Sequence, residues 1–264
     1  MRQIRLALGM LLALWMAPQW AVAEIRSVPG VRVENLSAAV RGAGAWLSPT
    51  TDFEVVGKSA WLLSGDNRVV DLGSGKSILP KGFVAHSFAR TSAGAVAVIT
   101  ENVLGTIVRS MFLPTTKLPF GNMRVVAGPG ESLLLYGGPD DDQYLISYDG
   151  LTFSTMLRLG EPIGAVTCVA DRVFFSAGNK LYTAKWGESP ALVFLFPDAS
   201  VIAGIAINAS TGEIYLATAD ALFSLDRGVA FKKLEGLGGR LQWRDGALYV
   251  MDAGRGMFAR VIFK

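Results

Sequence analysis

The chain has 264 residues, and its 25 basic and 22 acidic residues give a formal net charge of +3. Two of the basic residues, Arg2 and Arg5, lie in an N-terminal segment that we expect to be removed, which leaves a net charge of +1. A nearly neutral chain without a stripe of Lys and Arg argues against nucleic acid or an anionic membrane as the main partner.

The N-terminal segment has the pattern of a secretory signal peptide. Arg2 and Arg5 precede an uncharged run over residues 6–15, and Ala21-Val22-Ala23 forms a small-residue cleavage site before Glu24. The apolar run is shorter than the roughly 20 residues of a membrane span. We therefore predict a signal peptide over residues 1–23, cleavage near Ala23, a periplasmic or secreted protein without a membrane span, and one domain over residues 24–264.

A five-residue apolar run recurs six times along the rest of the chain, at intervals of 34 to 41 residues. The six runs begin at Trp61, Val96, Leu133, Val173, Ile214 and Leu248. A fixed period of this length with several short strands in each repeat is typical of propeller blades. The sequence therefore predicts an all-β fold, a single β-propeller of six four-stranded blades.

In chain order, each unit divides into short strands separated by Gly, Asp, Asn and Ser. The first unit has predicted strands at 52–56, 61–65, 68–72 and 77–79, and the second at 84–90, 95–100 and 106–112 with a weak fourth element near Leu118. The third has 124–127, 132–136, 144–148 and 153–159, and the fourth 165–169, 172–176, 180–185 and 191–196. The fifth has 203–207, 213–218, 221–225 and 230–234.

The sixth unit has strands at 240–244, 247–251 and 256–263, so the chain ends one strand short. We predict that the strand-like segment over residues 31–40 completes this blade, because a closed ring leaves no open sheet edge. Outside the signal peptide no helix is predicted, since apolar residues do not recur every 3.6 positions.

Three segments resemble the repeats of NHL-type and quinoprotein-like propellers. They are GDNRVVDLGSGK at 65–76, INASTGEIYLAT at 207–218 and LYVMDAGRG at 248–256. The resemblance covers most of the mature chain and implies a six- to eight-bladed propeller. It is shared by proteins of many functions, so it predicts the fold and not the chemistry.

The residues that most often carry catalysis or bind metals are scarce. His86 is the sole histidine and Cys168 the sole cysteine, and they lie in different predicted blades. A zinc site needs three or four ligands and a reactive thiol needs a nearby cation. We therefore predict a packed or channel-lining His86, a buried and inert Cys168, no disulfide, no catalytic metal and no cofactor.

The densest acidic spot is the loop that contains Asp140, Asp141 and Asp142. Calcium takes several oxygen ligands from such loops, but the residues that follow do not match a twelve-residue calcium loop. A solvated turn is the favoured interpretation, and a calcium site is the alternative.

The loops between the second and third strands of all blades lie on one face of a propeller, and they are the predicted binding surface. Turn chemistry alone also favours Asp, Asn and Gly there. The candidate binding residues are Asp66, Asn67, Arg68, Asp140, Asp141, Asp142, Asn179, Asp220, Asp252 and Arg255.

Two functions follow from this organisation. The leading hypothesis is a monomeric, non-catalytic scaffold that binds another envelope protein or a peptide on its loop face. The alternative is a propeller enzyme of lactonase or quinoprotein type, with a metal or cofactor at the central channel. Propeller lactonases, which resemble this chain in fold, hold calcium through Glu, Asn and Asp side chains of different inner strands. The predicted inner strands of this chain offer mainly Val, Ala, Ile, Phe and Arg, and only Glu54, Asn122 and Asn208 lie near strand starts or ends.

Overall fold

The computed structural model describes residues 24–185 and 188–264. The predicted signal peptide, residues 1–23, lies outside the described residues. Within the described ranges, no helix is both long and apolar enough to cross a membrane.

The described chain begins with two short strands and a helix and continues as a series of antiparallel strands. The N-terminal elements are β1 (Arg26–Ser27), β2 (Val31–Asn35) and α1 (Ser37–Gly42). Blade 1 contains β3 (Asp52–Val56), β4 (Ser59–Leu63), β5 (Val69–Asp71) and β6 (Lys76–Ser77). Blade 2 contains β7 (Ser87–Arg90), β8 (Val96–Thr100), β9 (Val103–Val108) and β10 (Met111–Lys117).

The remaining blades repeat this arrangement. Blade 3 contains β11 (Arg124–Ala127), β12 (Leu133–Gly137), β13 (Gln143–Tyr148) and β14 (Phe153–Leu159). Blade 4 contains β15 (Ile163–Val169), β16 (Arg172–Ala177), β17 (Lys180–Lys185) and β18 (Ala191–Leu195). Blade 5 contains β19 (Gly204–Ile207), β20 (Ile214–Ala217), β21 (Ala221–Asp226) and β22 (Val229–Glu235). Blade 6 contains β23 (Arg240–Arg244), β24 (Ala247–Asp252) and β25 (Met257–Phe263), together with β2.

The six sheets form a ring. The first strand of each blade contacts the first strand of the next, and β23 of blade 6 contacts β3 of blade 1. The predicted single six-bladed β-propeller is thereby confirmed. The first strands are innermost and surround a central channel.

The hydrophobic core of the described residues lies between the blades, as six clusters that each join two neighbouring sheets. The second strand of a blade is buried on both faces, so Leu134 and Leu135 are both 0% exposed although they point in opposite directions. Burial of each such side chain contributes about 2 kcal/mol before the entropy cost of ordering it. This packing explains why the second strands are the uniformly apolar runs of the repeat.

An N-terminal strand closes the ring, as predicted. Strand β2 pairs antiparallel with β25, with Val31 opposite Phe263 and Asn35 opposite Ala259. Strand β1 pairs with β22 at the outer edge of blade 5. The segment before α1 therefore clasps two neighbouring blades and covers two sheet edges that would otherwise be open.

The helix α1 corrects the sequence prediction, which extended the closing strand to residue 40. The strand ends at Asn35, and Val40 of the helix packs between blades 6 and 1 beside Phe53 and Phe258. The backbone N–H of Phe258 donates to the Ser37 hydroxyl at 3.1 Å. A helix of six residues is too short to show a 3.6-residue pattern, and packing rather than intrinsic propensity stabilises it.

The third and fourth strands of blade 2 are also displaced from their predicted positions. The predicted strand 106–112 spans a tight turn between β9 and β10, where Arg109 and Ser110 have φ angles of 51° and 62°. Two consecutive residues of positive φ form the type I′ turn that suits a two-residue hairpin. This turn lacks the usual Asn-Gly pair, so no local sequence pattern predicts it.

Candidate active site in the central channel

The central channel contains a cavity of about 530 Å³, and its wall carries both charged and apolar side chains. The inner strands supply most of the lining. The charged side chains of the wall are Asp52, Glu54, Arg90, Arg240 and Arg244. Its hydrogen-bonding side chains include Tyr136 and Gln242, together with Thr91, Ser92, Thr167 and Trp243.

These groups line the channel because successive side chains of a β-strand point to opposite faces. In β3, Asp52 and Glu54 line the channel, while the alternate residues Phe53 and Val55 pack in the cluster between blades 6 and 1. In β23, residues 240, 242 and 244 share one side of the strand in the same way. The strands DFEVV and RLQWR therefore each place polar side chains along the channel at every second position.

At the end of the channel where the inner strands begin, Asp52 pairs with Arg240. Their nearest oxygen and nitrogen lie 2.7 Å apart, and their side chains are 19% and 23% exposed. Burial raises the pKa of Asp52 to about 6, while the positive charge of Arg124 opposes that rise. The carboxyl group is therefore ionised at pH 7 and the ion pair is intact.

Tyr136 lies beside this ion pair, opposite Arg124 in the register of β11 and β12. The Arg124 side chain hydrogen bonds to the phenol, but burial and the nearby Asp52 together raise the pKa of Tyr136 far above its ordinary value. The phenol stays protonated at any working pH, so Tyr136 acts here only as a neutral hydrogen-bonding group.

Glu54 lies two residues after Asp52, on the same side of β3, and also lines the channel. The side-chain oxygen of Gln242 accepts a hydrogen bond from the backbone N–H of Val55 at 2.7 Å, which fixes the amide. The Gln242 side chain also hydrogen bonds to Glu54. Burial raises the pKa of Glu54 to about 7, and Asp52 adds to the rise, whereas Gln242, Arg244 and Arg90 oppose it. A carboxyl group of this pKa accepts and returns protons near neutral pH.

The other end of the channel carries two arginines. Arg90 is the last residue of β7 and Arg244 the last residue of β23. Both lower the pKa of Glu54 through their charge, so both lie close to it. Blades 2 and 6 flank blade 1 in the ring, so the two guanidinium groups stand on either side of the strand that carries Glu54.

The predicted binding residues of the loop face are distributed around the opposite side from this arginine pair, and most are hydrogen bonded within their own loops. Asp66 pairs with Arg68, whose guanidinium also donates to the Gly44 carbonyl at 3.1 Å. Asn67 has a φ of 62° in the same turn. Asp252 pairs with Arg255 at 2.8 Å and is 6% exposed.

The other loop residues follow the same pattern. Asn179 donates to the Phe196 carbonyl at 2.8 Å, and Asp220 accepts from the Thr218 hydroxyl at 2.9 Å. These contacts explain why turn residues of this type occur there. Whether the loop face also binds a ligand stays a prediction.

In the acidic loop, Asp140 and Asp141 are exposed, whereas Asp142 pairs with Arg158 and accepts a hydrogen bond from the Tyr144 hydroxyl at 2.7 Å. Arg158 holds the pKa of Asp142 below its usual range. The one carboxylate of the loop that is held in place is therefore already neutralised by an arginine.

His86 and Cys168 differ from their predicted environments. His86 is exposed and precedes β7, rather than being packed or lining the channel. Cys168 is half-buried and lies on the channel wall. Burial raises the pKa of the Cys168 thiol to about 11, so it is protonated at neutral pH, in agreement with the predicted lack of reactivity.

The described residues do not fit the calcium site that the lactonase resemblance implies. Asn122, before β11, donates to the Gly138 carbonyl in the loop after β12, and Asn208, after β19, accepts from Ser210 in its own loop, so both side chains are engaged in loop contacts. Around Glu54, the side chains of Gln242 and Asp52 carry oxygen atoms, but the positive charges of Arg90 and Arg244 act on the same carboxylate and disfavour a cation there. Among residues 24–185 and 188–264, no three His, Cys, Asp or Glu side chains are grouped to hold a metal ion.

Comparison with known proteins places the fold. No protein-family model and no curated protein sequence matches the chain. A gluconolactonase from Xanthomonas campestris superposes with a TM-score of 0.66 at 8% identity, over 90% of this chain and 91% of that one. The calcium-binding protein regucalcin from Agrobacterium tumefaciens gives 0.64 at 12% identity, over 83% and 90% of the chains. A virginiamycin B lyase from Staphylococcus aureus gives 0.59 at 12% identity, over 91% and 100%.

These likenesses confirm the resemblance to propeller repeats at the level of the fold. They contradict the leading functional hypothesis, because similar structures such as the gluconolactonase are named as enzymes and favour the propeller-enzyme alternative over a non-catalytic scaffold. The residues that the hypothesis missed are Asp52, Glu54, Gln242 and the channel arginines. The signal that could have found them is polar residues at alternate positions of strands that should line a channel.

Proposed function

We propose that this protein is a hydrolase that opens a small lactone or ester inside the central channel, with Glu54 as general base. The observation that carries the proposal is the position of Glu54. It lines the cavity from the inner strand β3, the Gln242 amide hydrogen bonds to it, and its pKa of about 7 suits proton transfer at neutral pH. The likeness to gluconolactonases supports the reaction class by analogy.

In the proposed reaction, ionised Glu54 takes a proton from a water molecule as the water attacks the carbonyl carbon. Negative charge then develops on the carbonyl oxygen, in a channel whose positive potential comes from four arginines. When the tetrahedral intermediate collapses, protonated Glu54 returns the proton to the leaving oxygen. The ring opens to a hydroxy acid, and Glu54 is restored.

Each of the other channel groups has a supporting role. Gln242 holds Glu54 through its amide, because its oxygen is already fixed by the Val55 N–H. At the end of the channel where the inner strands begin, the ion pair with Asp52 neutralises the charge of Arg240. No step requires a divalent metal, and the surrounding arginines would repel one. Residues 1–23 support the further proposal that the enzyme works outside the cytoplasm.

The experiment is a pH-stat assay of acid release from glucono-1,4-lactone at pH 7.5 by the purified mature chain. We expect Glu54→Gln to lower kcat/KM by about 10²- to 10⁴-fold, the usual contribution of a general base. Glu235→Gln, which removes an exposed carboxylate on the outer strand β22, serves as the matched control and should retain the full rate. Absence of hydrolysis by the wild type, or an equal rate in the Glu54 variant, would contradict the proposal.

A further inference from the structure

The channel holds more positive than negative charge. Four arginines, at 90, 124, 240 and 244, face or approach it, against the two carboxyl groups of Asp52 and Glu54. The ion pair with Asp52 neutralises Arg240. The remaining excess lies mainly at the end where the inner strands finish, and an anionic ligand would balance it.

Arg90 and Arg244 are available for such a ligand. Neither forms an ion pair with an acidic side chain within 4.0 Å among the described residues. A guanidinium group that borders a partly desolvated cavity is stabilised by a carboxylate or phosphate, which it binds through paired N–H donors. Arg90 is half-buried and Arg244 is exposed, so both guanidinium groups border the cavity and are accessible to an anionic ligand.

The backbone makes room for one of them. The guanidinium of Arg90 lies against Gly94 in the turn between β7 and β8, where an added Cβ would be 3.0 Å from its terminal nitrogen. Gly94 also has a φ of 89°, which disfavours any other residue. The Arg90 guanidinium therefore packs against the backbone of this turn, beside the cavity.

We propose that Arg90 and Arg244 form an anion subsite, and that the substrate is a lactone or ester that carries its own carboxylate or phosphate. The reaction assigned to the substrate rests on the proposed function, whereas the anion subsite rests on the arginine pair alone. Because the pair flanks β3, an anion held there keeps the rest of a small substrate within the part of the channel that Glu54 borders. The pair therefore determines specificity, and Glu54 performs the chemistry.

Two lactones that differ in one group test this inference. Glucaro-1,4-lactone carries a carboxylate where glucono-1,4-lactone carries a neutral hydroxymethyl group. Binding is measured by calorimetry with the Glu54→Gln protein, which blocks turnover. We expect the charged lactone to bind at least about tenfold more tightly, as charge-assisted hydrogen bonds imply, and the preference to disappear when Arg90→Gln and Arg244→Gln are added.

The matched control removes two positive charges from the outer strands, through Arg158→Gln and Lys232→Gln, and should leave the preference intact. Equal affinity for the two lactones, or a preference that survives loss of both channel arginines, would overturn the anion subsite. A charged preference without hydrolysis by the wild type would instead contradict the proposed function and leave the subsite supported.

A second measurement covers the case in which neither lactone binds. Inorganic phosphate is titrated against the wild type, the Arg90→Gln/Arg244→Gln variant and the control variant, and thermal unfolding is followed. We expect phosphate to raise the Tm of the wild type and the control but not of the channel variant. The same Tm shift in all three proteins, or no shift in the wild type, would overturn the proposal. A phosphate response without any response to glucaro-1,4-lactone would assign the subsite to phosphate esters.

Discussion

At Glu54, burial and charge act in opposite directions. The channel wall removes water from the carboxyl group and raises its pKa, whereas Arg90, Arg244 and the Gln242 amide stabilise the ionised form, and Asp52 destabilises it. The balance gives a pKa of about 7. This pKa suits Glu54 to proton transfer near neutral pH, whereas Asp52 is held in an ion pair with Arg240.

The pH dependence of the rate follows from this value. Since the general base must be ionised, kcat/KM should rise as the pH increases through about 7 and level off above it. Replacing Arg244 by Gln removes a group that favours the ionised form, so it should move the midpoint to higher pH. A pH-stat profile between pH 5 and 9 measures both, and a rate that falls through pH 7 would contradict the assignment of Glu54 as base.

The same shift makes the fold more stable at low pH. The pKa of Glu54 rises from 4.5 to about 7 on folding, so the native state binds this proton more tightly than the unfolded chain does. The stability is complete below pH 4.5 and is lost as the pH rises to 7. After allowance for solvent contact, the loss is on the order of 2 kcal/mol.

Glu54→Gln keeps the shape of the side chain and removes the titration. It should therefore flatten the decline in the free energy of unfolding between pH 4.5 and 7, and make the protein more stable than the wild type at pH 8. Urea titrations at pH 4.5, 6 and 8 measure this. Asp52 contributes a decline of the same sign and remains in both proteins, so a difference that does not change with pH would argue against a buried, titrating Glu54.

At the scale of single residues, the sequence could predict the turns but not the channel. Asp66, Asn179 and Asp252 were recognised as loop residues, and the structure shows them in hydrogen-bonded loops. Glu54 and Gln242 are 188 positions apart in the chain, and only closure of the ring brings them together. No local pattern contains that information.

At the scale of elements, the N-terminal strands β1 and β2 cover the outer edges of blades 5 and 6. The side chains of strand β2 alternate between the core and the solvent. Val33 lies opposite the fully buried Val261 and packs on the cluster between blades 5 and 6, whereas Arg32 is exposed. The register of the strand therefore determines which substitutions the blade tolerates.

Val33→Ser should lower the free energy of unfolding by about 1 to 2 kcal/mol, because it removes a packed apolar side chain at the closing strand. Arg32→Ser, one position away on the exposed side, should change it by less than about 0.5 kcal/mol. Urea unfolding of both variants measures the difference. Equal effects at the two positions would mean that β2 is not docked in this register.

Element positions were predictable where the repeat is strict and not where a turn has unusual residues. Strand β3 and the last two blades lie where alternation and Gly turns indicated them. The sequence does not predict the Arg109-Ser110 turn, because Arg and Ser rarely adopt positive φ. It does not predict α1 either, because six residues are too few to show the 3.6-residue period of a helix. In both cases tertiary contacts override local preference.

At the scale of the whole molecule, six apolar runs predicted six blades because each second strand is buried between two neighbouring sheets. The function was not predictable in the same way. A propeller offers both a loop face and a channel, and turn residues made the loop face more conspicuous in the sequence. The polar groups of the channel come from several blades and become a site only when the ring closes.

In the proposed reaction, this propeller acts in its channel through Glu54 and without a divalent metal. The measurement that distinguishes this from metal-dependent chemistry is hydrolysis of glucono-1,4-lactone and glucaro-1,4-lactone by protein dialysed against EDTA, assayed with and without added calcium. We expect the same rate in both conditions for the wild type, and little or no rate in either for Glu54→Gln. A rate that disappears after EDTA and returns with calcium, or no hydrolysis of either lactone, would contradict it.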